Sequence, residues 1–241
     1  MASLLFTLAG TLHAASSPLA DYPDLAKIMS EKTADVTAIR QKADTGDAKA
    51  EFEMALCYFN GIGVPQNDKE ALKWVKTSAE HGYPDAEVHY GTIYDYSNHQ
   101  EAEKWYLKAV EQGNSTAAFC LYEYYGSGQS AMGAGYPIPG AKLDQEQATK
   151  WLWKSADLGN GFAWAELADR YHMGNGVKRD DVEAYKWLSM ALSNSKEADI
   201  VKNYAIYQEL KSDLDCSLTS AQIAEAKKRA QEWLSKFQKR K

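Results

Sequence analysis

Four copies of the tetrad Ala-x-x-Trp, at Ala71/Trp74, Ala102/Trp105, Ala148/Trp151 and Ala184/Trp187, leave this chain few folds to choose from. Each copy is preceded at the same offsets by a helix-starting pair: Asn67/Glu70, Asn98/Glu101, Asp144/Gln147 and Asp180/Glu183. An Asn or Asp side chain accepts from the free N–H groups of a first turn, and a Glu or Gln three residues on reaches back to the cap residue's own N–H. Four agreeing registers mark the start of one and the same helix, the second helix of a repeated hairpin.

The rest of the hairpin follows from spacing. Gly82, Gly113 and Gly159 stand eight residues after the first three tryptophans, where a left-handed glycine ends a helix. Four residues beyond each comes Ala86, Ala117 or Ala163, and Gly46 with Ala50 repeats the spacing ahead of the first tetrad. Each alanine is followed at offset +8 by a tyrosine (Tyr58, Tyr94, Tyr125, Tyr171), which completes a first helix. The junction between repeats is constant, whereas tyrosine to cap residue spans 9, 4, 19 and 9 residues. A fixed junction with a variable edge loop is what stacked hairpins require, because each buries its face against its neighbour while an edge loop is free to grow.

This pattern resembles the Sel-one-like repeat (SLR) family, a relative of the tetratricopeptide repeats. The residues carrying the resemblance are Ala50, Met54, Ala55, Tyr58, Gly61-Ile62-Gly63-Val64, Asp68, Ala71, Trp74, Ala79 and Gly82, and again Ala163, Leu167, Ala168, Tyr171, Gly174-Asn175-Gly176-Val177, Asp181, Ala184 and Trp187. The second repeat lacks the Gly-x-Gly-Val turn, the third carries a long insertion, and the fourth has Ser195 where a closing glycine stands elsewhere. The resemblance implies an all-α, right-handed α/α solenoid of about four helical hairpins with terminal capping helices. The expected organisation is a leader over 1–17, an N-terminal capping helix within 18–45, repeats at 46–82, 83–113, 114–159 and 160–193, and C-terminal capping helices over 194–241. In the last of these, Thr219 and Gln222 form a capping box ahead of a helix with Ile223, Ala226, Ala230, Trp233, Leu234 and Phe237 on one side.

Composition narrows the function classes. The chain of 241 residues has a formal net charge of −6 and three cysteines, which exclude a basic nucleic-acid binder and a dense disulfide scaffold. The five histidines form no HExxH group, the Gly-x-Gly turns follow no strand and precede no Lys-Ser/Thr, and no serine sits in a GxSxG setting. No catalytic residue, no cofactor and no metal is expected. A cysteine-rich branch of the family has been linked to β-lactam binding or hydrolysis, but it carries a cysteine pair in every repeat, and Cys57 and Cys120 fall at different offsets. Residues 4–12 form a short apolar run followed by small residues, as in a secretory signal, although no basic residue precedes it. The expected location is periplasmic or secreted, with the cytoplasm as the alternative.

The site expectation is a concave groove. At 100° per residue, offsets 0, +4, +5 and +8 of a first helix form the packing arc, and offsets +2, +6 and +9 point elsewhere. Those positions hold Phe52, Leu56 and Phe59, then Val88, Thr92 and Asp95, then Phe119, Glu123 and Gly126, then Ala165, Asp169 and His172. Either Phe52, Leu56, Phe59, Val88, Phe119, Glu123, Asp169 and His172 line a groove for a protein partner, or tight curvature buries them between neighbouring first helices. Tyr136, within the glycine-rich insertion 129–143, is a second contact candidate. The last seventeen residues carry seven Lys/Arg against two Glu, a terminal helix that is either solvated or in peripheral contact with an anionic membrane or acidic partner. The resulting expectation is a non-enzymatic protein-binding module. The resemblance adds an immunity protein neutralising a secreted antibacterial effector as one version of it. The alternatives are a periplasmic hydrolase of cell-wall or β-lactam substrates, and a general scaffold or adaptor.

Overall fold

The computed structural model describes residues 36–94, 98–126, 143–193 and 204–239, and every regular element among them is a helix. These are α1 (Val36–Ala43), α2 (Ala48–Asn60), α3 (Asp68–Glu80), α4 (Pro84–Tyr94), α5 (His99–Glu111), α6 (Ser115–Gly126), α7 (Gln145–Asp157), α8 (Gly161–Met173), α9 (Asp181–Ser193), α10 (Tyr204–Ser217) and α11 (Ser220–Gln238). They fall into two compact units, residues 1–151 and 152–241, with the boundary inside α7. In the first unit α1 packs on α2, and the hairpins α2/α3 and α4/α5 pack in sequence before α6; in the second, α8 pairs with α9, which α10 and α11 cover.

All four expected second-helix caps are present. Asn67 Oδ1 accepts from the N–H groups of Lys69 and Glu70, Asn98 from Glu101, Asp144 from Glu146 and Gln147, and Asp180 from Val182 and Glu183. The expected return bond from the third helical residue does not form, and the reason is geometric. The N–H of each cap residue is already donated to the carbonyl of the repeat's tyrosine: Asn67 to Tyr58 (3.0 Å), Asn98 to Tyr94 (2.8 Å), Asp144 to Tyr125 (2.9 Å) and Asp180 to Tyr171 (2.9 Å). One bond thus closes every hairpin, whatever the loop length between its ends. The glutamates so released turn to a lysine one turn on, Glu70 to Lys73, Glu101 to Lys104 and Glu183 to Lys186, at 2.5–3.1 Å. Where Gln147 takes that place, Lys150 pairs with Glu146 instead. Thr219 and Gln222 do form the reciprocal box expected of them.

The junctions are equally uniform. Gly46, Gly82, Gly113 and Gly159 have φ of 85°, 83°, 83° and 92°. Each glycine N–H reaches the carbonyl three residues back, and the next residue's N–H reaches the carbonyl five back, as in Gly113 to Val110 and Asn114 to Ala109. That double bond satisfies the last carbonyls of the outgoing helix. In three junctions the next residue also caps the incoming helix: Asp47 accepts from Ala50, Asn114 from Ala117 and Asn160 from Ala163. Pro84 opens α4 in place of such a cap, a position where its missing N–H costs nothing.

Close packing explains the small residues. Ala71, Ala102, Ala148 and Ala184 are buried, as are Ala50, Ala86, Ala117 and Ala163. A Cβ on Gly91, in mid-helix, would stand 2.8 Å from the ring of the fully buried Tyr106, so glycine is required by its neighbour and not by its backbone. Two buried acids bridge hairpin ends: Glu51 of α2 lies 2.8 Å from His81 Nδ1 after α3, and Glu87 of α4 accepts from Gln112 Nε2 at 2.7 Å after α5. Of the helix expected within 18–45, the described part is α1. The leader 1–17, Asp95, Tyr136 and the rest of the insertion 129–142 lie outside the described residues.

Candidate functional site

The face formed by offsets +2, +6 and +9 divides once side chains are placed. Phe52 is 1% exposed, Leu56 is likewise buried, and Val88 is buried on α4. The Phe52 ring meets Tyr83 at 5.5 Å and His89 at 5.1 Å between centroids, in one core cluster with Leu56, Val75, Ala86 and Trp105. The expectation that Phe52, Leu56 and Val88 line an open groove is therefore corrected. The physical reason is the alternative curvature reading: offset +2 of one first helix meets offset +3 of the next, where His89 sits, so the strip is consumed by stacking. Burial also pushes the His89 imidazole below its ordinary range, with Asp85 opposing.

What keeps surface in the first unit is Phe59, Phe119 and Glu123. Phe59 is half-buried against the Phe52 cluster near the end of α2. On α6, Phe119 is half-buried and its ring lies 5.3 Å from Tyr122, with Glu123 beside them. Tyr122 is a residue that sequence reasoning missed, because offset +5 belongs to the packing arc. A signal was present: the same offset holds Ala55, Gly91 and Ala168 in the other repeats, so a large ring breaks a small-residue position. The neighbouring tyrosines are engaged elsewhere. Tyr125 donates to Glu103 of α5, and Tyr58 accepts from Arg40 Nη2 of α1 at 2.7 Å. Burial, then the Glu103 bond, holds the Tyr125 phenol well above its usual value.

In the second unit, Asp169 is exposed and His172 is half-buried. Partial burial and the nearby Glu166 raise the Asp169 carboxyl. His172 Nδ1 lies 3.0 Å from Asp181, which Arg179 also holds at 3.1 Å. Burial opposes but does not overcome these two bonds, and Asp181 titrates below its usual range. His172 thus ties the end of α8 to the start of α9, a fastening role for a residue expected to contact a partner. Cys57 and Cys120 are buried and Cys216 exposed, all as free thiols, with burial and then Glu53 pushing Cys57 up to about 11. Among the described residues no three His, Cys, Asp or Glu side chains converge as a metal ion requires, and no helix is long and apolar enough to cross a membrane.

Comparison with known proteins agrees with the packing. The model of the Sel1 repeat matches residues 48–83, 86–114, 126–160 and 163–195. Among solved structures, the fold is similar to that of c5321, a protective antigen present in uropathogenic Escherichia coli strains and displaying an SLR fold. The TM-score is 0.63 with 27% identity, covering 84% of this chain and 41% of that one. A Sel1 repeat protein from Oxalobacter formigenes gives 0.59 with 26% identity, covering 86% and 78%. The chitin synthase regulator SKT5 of Saccharomyces cerevisiae is 25% identical over 170 residues, which is 67% of this chain and 23% of the yeast protein. The chain spans less than a quarter of that regulator and under half of the E. coli antigen.

Proposed function

Because the chain belongs to the Sel1 repeat family, we propose that it is a non-enzymatic interaction module that binds a protein partner through α6, with Phe119 and Tyr122 as anchors and Glu123 at their edge. The observation that carries this is Tyr122. Its offset is filled by alanine or glycine in the other repeats, its ring pairs with Phe119, and both keep surface where Phe52 and Leu56 do not. Tyrosine is enriched among the few residues that dominate binding energy at protein interfaces, and aromatic rings supply large contact area while ordering few rotatable bonds. Phe59 is a secondary contact on α2.

Capture of a partner from extract by the tagged chain tests the reading. Phe119→Asp, and separately Tyr122→Ala, is expected to abolish capture with helical circular dichroism unchanged. A folded variant that captures as well as the parent sinks the proposal. The immunity role is the finer version, supported by the family resemblance alone, and stands only if the captured protein is a secreted toxin. A location outside the cytoplasm is part of the same proposal, supported by the apolar run 4–12, and cell fractionation checks it.

A further inference from the structure

The docking surface on α6 leaves one charged surface without a role, the outer face of α11. The inner face of this helix is fully occupied. Trp233 lies 5.5 Å from the Trp164 ring and 5.7 Å from the Trp187 ring, Phe237 stacks on Trp233 at 5.3 Å, and Ala226 and Ala230 are buried. Outward point Lys227, Lys228, Lys236 and Lys239, all exposed, within an arc of about 180° at 100° per residue. No described carboxylate comes within ion-pairing distance of any of them. Elsewhere Lys73, Lys104, Lys150, Lys186 and Lys211 each hold one at 3.1 Å or less.

The local carboxylates are mostly committed. Glu225 is bonded to Arg229 at 2.9 Å, Arg229 also reaches Glu183 at 2.8 Å, and Asp215 is held by Lys211. Glu225 and Glu232 share the exposed arc, and with Glu225 bonded to Arg229 the four lysines face solvent against one uncommitted carboxylate, Glu232. Compensation of the helix dipole accounts for Lys236 and Lys239 near the C-terminus, but that effect fades beyond the last turn and does not reach Lys227 and Lys228.

We infer that the outer face of α11 is a docking surface for an anionic lipid bilayer. Two features favour a membrane over an acidic protein. The exposed strip offers no aromatic or large aliphatic anchor of the kind a protein interface centres on, since Trp233 and Phe237 are turned inward. The cations are lysines, flexible point charges suited to a diffuse layer of headgroups, whereas a geometrically defined carboxylate is better met by the arginine fork. With no apolar insertion, attachment is electrostatic, reversible and salt-sensitive.

The test is co-sedimentation of the full chain with phosphatidylcholine vesicles lacking or containing phosphatidylglycerol, read as the ratio of the two partition coefficients. The anionic vesicles are expected to bind more strongly at low salt, with the preference lost at high salt. Each lysine is worth roughly fivefold in partitioning, so changing Lys227, Lys228, Lys236 and Lys239 to Gln weakens anionic binding by roughly several hundredfold. The four Lys→Arg changes preserve it. Neutralising Lys69, Lys73, Lys76 and Lys104 on α3 and α5 has little effect. Equal binding to both vesicle types, undiminished binding by the glutamine variant, or an equal loss in the α3/α5 control overturns the inference. So does capture by polyglutamate beads with no anionic-vesicle preference, which points to a protein partner instead. None of these outcomes bears on Phe119 and Tyr122, whose partner capture is measured without lipid.

Discussion

Replacing Phe52 separates a stacking residue from a docking residue more sharply than any other change. The phenyl ring is 1% exposed and lies between two hairpins, against Tyr83 at 5.5 Å and His89 at 5.1 Å. Truncation to alanine removes its burial and leaves a cavity, which in well-packed cores costs about 3–5 kcal/mol. For a chain of this size a loss of 1 kcal/mol lowers Tm by roughly 2–4 °C, so Phe52→Ala is expected to fall by about 6–20 °C. Phe52→Asp adds an unpaired carboxylate to the same cluster, and its combined cost is of the order of a whole domain's stability, about 5–15 kcal/mol. It should lose helical signal at moderate temperature, and any loss of partner capture then reports unfolding. Thermal and urea denaturation followed by circular dichroism measures both variants. A loss below about 1 kcal/mol for Phe52→Ala, the size of an ordinary surface change, refutes the assignment of this ring to stacking.

Four further substitutions probe other parts of the fold. Gly113→Ala meets nothing within 4 Å, so its cost is the left-handed backbone alone, about 1–2 kcal/mol. Gly159→Ala drives its Cβ into the Phe237 ring as well and should cost about 1–3 kcal/mol more, an excess that vanishes in a Phe237→Ala background. His89 titrates below its ordinary value of 6.5, so its contribution is present above that pH and lost as pH falls through the folded pKa. Urea midpoints between pH 7 and pH 5 should therefore fall less steeply for His89→Gln than for the parent, and parallel slopes would contradict this. His81→Ala deprives the buried Glu51 of its partner and should cost about 1–3 kcal/mol, much of which Glu51→Leu in the same chain restores; no recovery would show that the pair is not the source.

The repeat skeleton was legible because its chemistry is local. A cap residue, its first-turn N–H groups and a left-handed glycine lie within a few residues of one another, so Asn67, Asn98, Asp144 and Asp180 and the four junction glycines could be read by spacing. The carbonyl of Tyr58 accepting from Asn67 was not legible, since the tyrosine's own side chain takes no part in that bond. The division of the first-helix face between groove and core was not legible for a related reason. A helical wheel gives the direction of Phe52 and Leu56 but not the distance to the next helix, and that distance decides between groove and core. Phe119, with the same offset and the same side chain as Phe52, is half-buried where Phe52 is fully buried. The distinguishing mark is its neighbour Tyr122, visible only when offset +5 is compared across repeats.

The central claim, that α6 carries the docking surface while the equivalent face of α2 is spent on stacking, is tested most directly by site-specific photo-crosslinking. A benzoylphenylalanine replacing Phe119 is expected to form an adduct with a partner polypeptide in cells making the protein, and the same residue at the exposed position Lys69 on α3 is not. Adducts of equal yield at both positions, or at Lys69 alone, would contradict the account.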